Sequence, residues 1–441
     1  MTGFRKNHID VISMGCSKNL VDSQRLMKML QAKGYTLTHD SEEVCGEYVV
    51  VNTCGFIGDA KEESIELLLE LAAMKEEGTI GYIVVMGCLS ERYMKELAAE
   101  MPEVDYWYGK FDWTGFARML PDRRKNIEPK SWERVLTGDP WNAYIKISEG
   151  CDRFCAFCAI PLITGRHKSR PIEEILEETR QLVADGVKEF NVIAQDLSSY
   201  GMDLYGRHAL AELIERMSDI QGVEWIRLHY AYPTDFPYDI LPVMARRENV
   251  CKYIDIALQH VSDPVLKRMR RHFSGSQTRE LVARIRKEVP GIKIRTTMLV
   301  GFPGESEKDF QELLDFVREA RFDRLGAFAY SEEEGTFAAL SLSDDVPEDV
   351  KRSRLDTLMD LQEEIAFSLA EEQVGTRVKT IVDRIENGRL VGRTEFDSPE
   401  VDSEIYIEVP AGKSAPLPGE MIWAEVTDAD GHDLIAILAD E

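Results

Sequence analysis

No apolar run in this chain of 441 residues approaches the roughly 20 residues needed to cross a bilayer. Runs such as those at residues 48–51 and 83–86 are the size of single buried strands. A secretion signal is also missing: residues 1–10 carry two basic side chains but no apolar stretch or small-residue cleavage site, so the chain is expected to be cytoplasmic, without a membrane partner. Positive charge is scarce, with 53 Lys or Arg against 79 Asp or Glu and a net charge of −26. A polyanion would be repelled at long range, which makes nucleic acid a poor default ligand and permits a basic partner. Such a surface also simply keeps a protein soluble. Eight unevenly spaced cysteines in a reducing compartment do not suggest a disulfide framework, and metal ligation is the better reading.

Three times in the first hundred residues a β-branched run ends in a cysteine-bearing loop and a helical pattern follows. Residues 9–14 lead through Gly15 to Cys16, residues 48–53 to Cys54, and residues 82–87 to Cys88. Right-handed crossovers make successive strands parallel and gather the loops after their carboxyl ends along one sheet edge. Three small buried hydrophobes would be the bland explanation. The same position after each strand favours a shared metal site.

The chain divides into an α/β domain over 1–122, a linker at 123–136 where periodicity fails among charges, a second α/β domain over 137–370, and a β domain over 371–441. In the second, strands predicted at 144–147, 189–193, 225–229, 253–258, 293–300 and 325–329 alternate with helices, as in an incomplete parallel (β/α)6 barrel with its site at the strand carboxyl ends. A helix at 347–373 leads into short strands flanking Asn387-Gly388 and Asp430-Gly431, the pattern of a small antiparallel barrel.

The strongest chemical signal is Cys151-Asp-Arg-Phe-Cys155-Ala-Phe-Cys158, just after the 144–147 strand. Three thiolates in eight residues can wrap a four-iron cluster and leave one iron open to substrate or cofactor. A zinc site would usually draw a second close cysteine pair, and none follows nearby. The motif resembles the signature of the radical S-adenosylmethionine superfamily, whose partial barrel agrees with the strand pattern. That resemblance implies that the open iron chelates S-adenosylmethionine and that reductive cleavage yields methionine and a deoxyadenosyl radical. It also implies that Phe157 approaches the adenine, although packing beneath the loop would equally explain it. Gly301-Phe-Pro-Gly304-Glu305 resembles the superfamily's later glycine-containing motif beside the cofactor, where a tight turn alone would also suffice. Gln195 and Arg295 are cofactor candidates by position.

The union of a three-cysteine α/β domain, this barrel and a small β domain resembles the methylthiotransferase family over nearly the whole chain. By that resemblance Cys16, Cys54 and Cys88 hold a second [4Fe-4S] cluster from which methylated sulfur is delivered, a second S-adenosylmethionine supplies the methyl group, and the C-terminal segment is a TRAM domain. Gly15-Cys-Ser-Lys18-Asn-Leu-Val-Asp-Ser23, Asn52-Thr-Cys-Gly-Phe-Ile57 and Gln195-Asp-Leu-Ser-Ser-Tyr-Gly201 resemble the branch that modifies the β-carbon of an aspartate in small-subunit ribosomal protein S12. The implied partners are S12 or the small ribosomal subunit, an unidentified electron donor and an unidentified sulfur donor. A tRNA adenosine methylthiotransferase is the competing activity. Six Lys or Arg against seventeen Asp or Glu between Glu371 and Glu441 disfavour tRNA. A noncatalytic iron-sulfur scaffold would need a fourth ligand beside each triplet. Arg166, Arg170 and the Lys267 to Arg271 run are read as solvated faces or as carboxylate and cofactor binders, and Cys45 and Cys251 receive no ligand role.

Overall fold

The computed structural model describes residues 3–55, 58–124 and 128–440. Phe56 and Ile57, the end of the Asn52 motif, lie outside the described residues, as do residues 125–127 of the expected linker.

Hydrophobic β-branched runs buried on both faces make a parallel sheet, and the first layer is one. Strands Arg5–Ser13, Gly46–Thr53 and Tyr82–Gly87 form its centre, and Thr36–His39 and Tyr106–Trp107 add edges that the sequence pattern did not suggest. Every pairing is parallel. Side chains alternate: Ile9, Val11, Val50 and Val84 pack under the helix Ser17–Lys33, whereas Val49, Val51 and Val85 pack with Leu68 and Leu71 on the opposite face. The register aligns Asn52 with both Ser13 and Met86, so the three central strands end level and their loops emerge side by side.

Six further strands, Asn142–Lys146, Glu189–Ile193, Trp225–Ala231, Val250–Gln259, Lys293–Val300 and Arg324–Ala329, lie in chain order in a second, wholly parallel sheet. Its first and last strands do not pair, which leaves the (β/α)6 barrel open. Intervening helices, among them Ile172–Ala184 and Glu307–Ala320, complete the large core around Phe190, Ile254 and Leu313.

The C-terminal strands Arg377–Glu386, Arg389–Thr394, Ile405–Glu408, Met421–Asp430 and Asp433–Leu438 close into a barrel. One pairing departs from the antiparallel expectation, since Ile405–Glu408 runs parallel to Asp433–Leu438. A ring of five strands cannot alternate direction all the way round, so closure forces at least one like-directed pair. Asn387 and Gly388 both have positive φ, as a two-residue hairpin turn requires. The second tight turn falls one residue later than expected: Asp430 pairs with Asp433, leaving Gly431-His432 as the loop with glycine first.

This closed barrel docks near the amino ends of the open barrel's strands. Arg393 grips Glu189 with two bonds of 2.9 and 2.8 Å, Asp402 pairs with Arg295 at 2.5 Å, and Ile381 joins an apolar cluster with Trp225, Cys251 and Tyr253. Burial would raise the Glu189 carboxyl, but Arg393 and Arg227 outweigh it and hold it down at about 2. The strands' carboxyl ends are left for the cysteine loops.

Candidate functional site

Two glycines allow the first cysteine triad to assemble. Gly15 has φ +82, and a Cβ there would lie 2.8 Å from the Cys54 Sγ, so the loop bearing Cys16 closes on Cys54 only because that position lacks a side chain. Gly87 has φ +102, and its Cβ would meet the Asn52 Oδ1 and Thr53 carbonyl at 2.5 Å. Cys16 is the N-cap residue of the helix Ser17–Lys33 and Cys88 opens the helix Cys88–Glu100, so both stand at the positive ends of helix dipoles. Asn19 ties the loops together by donating to the Met14 and Thr53 carbonyls at 3.1 and 3.2 Å, and its Oδ1 lies 3.7 Å from the Cys88 Sγ.

Cys16 is exposed, whereas Cys88 is buried. Desolvation by the surrounding protein pushes the Cys16 thiol up, but Lys18, Lys110 and the backbone N–H groups of Asn19 and Lys18 outweigh that and lower it. Burial, assisted by Cys16 and Cys54 nearby, pushes Cys88 up to about 12.

The loop with the second triad is pinned at both ends. Gly150 has φ +79, and a Cβ would lie 2.1 Å from the Arg166 carbonyl. Cys151 N–H donates to the Gly165 carbonyl at 3.2 Å, and Ala156 N–H to that of Met269 at 2.9 Å. Phe154, between the first two cysteines, adopts φ 48, a conformation a non-glycine residue enters only when its surroundings enforce it. Burial pushes Cys151 up to about 12, and Cys158 is raised by burial and then by Cys155. Cys151 and Cys158, raised in this way, suit a group that brings positive charge. Among the described residues no three His, Cys, Asp or Glu side chains close in on a single-ion position. Thiols carried on a wrapping loop, or on three neighbouring loops, instead fit a cluster whose irons present separate ligand positions.

The remaining sequence candidates fall into different surroundings. Phe157 packs among Ala156, Met269 and Phe302, its ring 6.3 Å from that of Phe302 and edge-on. Phe302 belongs to the turn of Gly301 and Gly304, both with positive φ, which Glu305 braces by accepting from the Gly301 N–H at 2.7 Å. Glu305 is itself paired with Arg354 at 3.0 Å, and burial raises its carboxyl to about 7. Gln195 donates to Glu149, immediately before Gly150. Arg295 lies near the amino end of its strand and directs its charge to Asp402, away from the loops. Arg170 is held by Glu174 and Glu178 at 2.9 and 2.8 Å, whereas Arg166 is exposed beside Asp152. Cys251 sits in the apolar contact with the closed barrel.

The N-terminal triad meets the segment that follows the second triad across the domain interface. Cys88 packs directly against Ala159, the residue after Cys158, and against Ile163. Beneath that contact, Asp22 from the first sheet's helix bridges Lys110, at 3.1 Å, to Lys146, which also pairs with Glu149 at 2.7 Å. At the rim, Glu333 receives Lys61 at 2.8 Å and Arg92 at 3.1 Å. Sequence reading missed this network, and it also missed Tyr232, whose hydroxyl is 3.5 Å from the Cys155 Sγ beside the Arg271 guanidinium at 3.3 Å. The Lys267 to Arg271 run was the one available signal, and only its last member reaches a cysteine.

Family models match in chain order: Uncharacterized protein family UPF0004 over residues 8–109, the Radical SAM superfamily over 145–317 and the TRAM domain over 374–438. A relative from Bacteroides thetaiotaomicron, named ribosomal protein uS12 methylthiotransferase RimO, is 58% identical over 433 residues, covering 98% of each chain. One from Porphyromonas gingivalis with the same name is 56% identical, covering 99% of this chain and all of its own. In fold, the chain resembles the radical S-adenosylmethionine methyltransferase TsrM from Kitasatospora setae, solved with cobalamin and a [4Fe-4S] cluster, with a TM-score of 0.54 at 14% identity over 85% of this chain and 79% of that one. The three domain matches in series and identity above one half along nearly the full length show that this chain belongs to the RimO family of radical S-adenosylmethionine methylthiotransferases.

Proposed function

We propose that this enzyme adds a methylthio group to the β-carbon of an aspartate in small-subunit ribosomal protein S12, the ribosomal protein for which its relatives are named methylthiotransferases. In this reading Cys151, Cys155 and Cys158 hold one [4Fe-4S] cluster, and Cys16, Cys54 and Cys88 hold the second. When bound, the first supplies reductive cleavage of S-adenosylmethionine and the second a site for the sulfur. The observation that carries the reading is the packing of Cys88 on Ala159, because hydrogen removal and sulfur capture at a single carbon require the two centres to share one enclosed space.

The chain's part is to position and enclose. Phe157 and the Gly301–Gly304 turn border one apolar wall and are assigned to the adenosyl side of the cofactor, with Glu305 fixing the turn. Gln195 holds Glu149, and thereby the entry to the cysteine loop. Glu333, Lys61 and Arg92 clasp the rim and restrict water around a reactive intermediate. Among the described residues no helix is long and apolar enough to cross a membrane, and a ribosomal substrate fits a cytoplasmic enzyme that draws electrons and sulfur from soluble donors.

Anaerobically reconstituted, reduced enzyme incubated with S-adenosylmethionine and either S12 or tRNA tests the assignment. A methylthio mass increase on S12 alone is expected, and an increase on tRNA alone would refute it.

A further inference from the structure

Beside Cys16 of the N-terminal triad lies a buried ammonium with no carboxylate in ion-pair contact. Lys18, two residues after Cys16, is only 8% exposed. The other lysines buried in this interface each have a carboxylate: Lys110 has Asp22 at 3.1 Å and Lys146 has Glu149 at 2.7 Å. Among the described residues Lys18 has none within 4.0 Å. Instead its Nζ lies 3.3 Å from the centroid of the Tyr230 ring, near the carboxyl end of the strand Trp225–Ala231. Tyr230 holds φ 65, a left-handed conformation costly for an aromatic residue, and its N–H donates to Asp255 at 3.2 Å. An aromatic face shelters a cation without neutralising it, leaving the ammonium able to receive an anion. Tyr230 and Cys16 are both exposed, so the cation lies beside surface that a substrate side chain can reach.

We infer that Lys18 receives the carboxylate of the substrate aspartate and sets the enzyme's preference for an acidic side chain. The inference rests on the S12 reading above. In aspartate the β-carbon is bonded directly to the carboxylate carbon, so delivering sulfur to that carbon from the Cys16, Cys54 and Cys88 triad brings the carboxylate within a few ångströms of the triad. Lys18 stands there on the Cys16 side. A neutral base such as adenine would bring this buried charge no carboxylate partner, which disfavours it as substrate.

The test compares anaerobically reconstituted wild-type, Lys18→Met and Lys18→Arg enzymes on S12 and on S12 whose modified aspartate is replaced by asparagine. Iron per chain is measured in each preparation. Wild type is expected to favour aspartate by about ten- to a hundredfold in kcat/KM, the range of a charge-assisted hydrogen bond. Lys18→Met should bring the two substrates within about threefold at unchanged iron content, and Lys18→Arg should restore part of the preference. An undiminished aspartate preference in Lys18→Met, measured on its iron-loaded fraction if that variant loses iron, would overturn the inference. Wild-type enzyme that leaves S12 unmodified would instead count against the function proposed above.

Discussion

Replacing Asp22 by Asn removes one negative charge from beneath the triads while preserving shape. Asp22, Lys110 and Lys146 are each no more than 5% exposed, and after the substitution Lys110 retains only the Asn19 Oδ1 at 3.4 Å and Glu149 at 3.9 Å. Burial works against the Asp22 carboxyl, yet Lys146 and Lys110 hold it at about 2, against 3.8 for an unperturbed side chain. By linkage that difference corresponds to about 2–3 kcal/mol. Breaking a buried pair by removing one partner costs about 3–5 kcal/mol, so a loss of about 2–4 kcal/mol is expected. A folded-state pKa below the unfolded value makes this stabilisation complete above about pH 3.8 and progressively lost as pH falls through about 2. At pH 7 the Asp22→Asn melting midpoint should therefore fall by roughly 5–10 °C in the first calorimetric transition, the one followed because a multidomain chain does not melt in a single step. Lys146→Met in the same background should add much less than it does alone, since the two side chains share one interaction. A midpoint within about 1 °C of wild type would refute the view that this network holds the two cysteine-bearing units together.

Gly15→Ala places a methyl 2.8 Å from the Cys54 Sγ at a positive φ, and should cost the N-terminal triad its iron while sparing the other, read as about half the wild-type iron content. Glu189→Gln leaves Arg393 and Arg227 facing a neutral amide, so the closed barrel should loosen, with faster protease cleavage at pH 7 and a stability loss of about 3 kcal/mol. That contribution is present above about pH 4.5 and disappears as pH falls through about 2, so the two proteins should converge in strong acid. Arg271→Met removes the guanidinium 3.3 Å from the Cys155 Sγ. The reduction potential of the radical-generating cluster should then fall, because a neighbouring positive charge favours the more negative reduced state.

Much of the site was legible because its chemistry is periodic or local. Cys151, Cys155 and Cys158 lie in one loop, and Cys16, Cys54 and Cys88 share a position after strands whose buried runs are unambiguous. Edge strands such as Thr36–His39 and Tyr106–Trp107 were not, since two to four residues are too short to display a period. The parallel pair in the closed barrel follows from ring closure, which no single strand encodes. Harder still were the contacts between units: Arg393 meets Glu189 across 204 positions of sequence, and Asp22 meets Lys146 across 124. Lys18 stood inside a quoted motif, but its lack of a carboxylate is a property of the assembled interface.

Iron and acid-labile sulfide per chain, measured after anaerobic reconstitution of wild type and of two triple alanine variants, tests the central claim most directly. One variant lacks Cys16, Cys54 and Cys88, and the other lacks Cys151, Cys155 and Cys158. Two clusters give about eight irons in wild type and about four in each variant, with S-adenosylmethionine cleavage surviving only where the second triad is intact. About four irons in wild type, or cleavage that persists without Cys151, Cys155 and Cys158, would contradict the account.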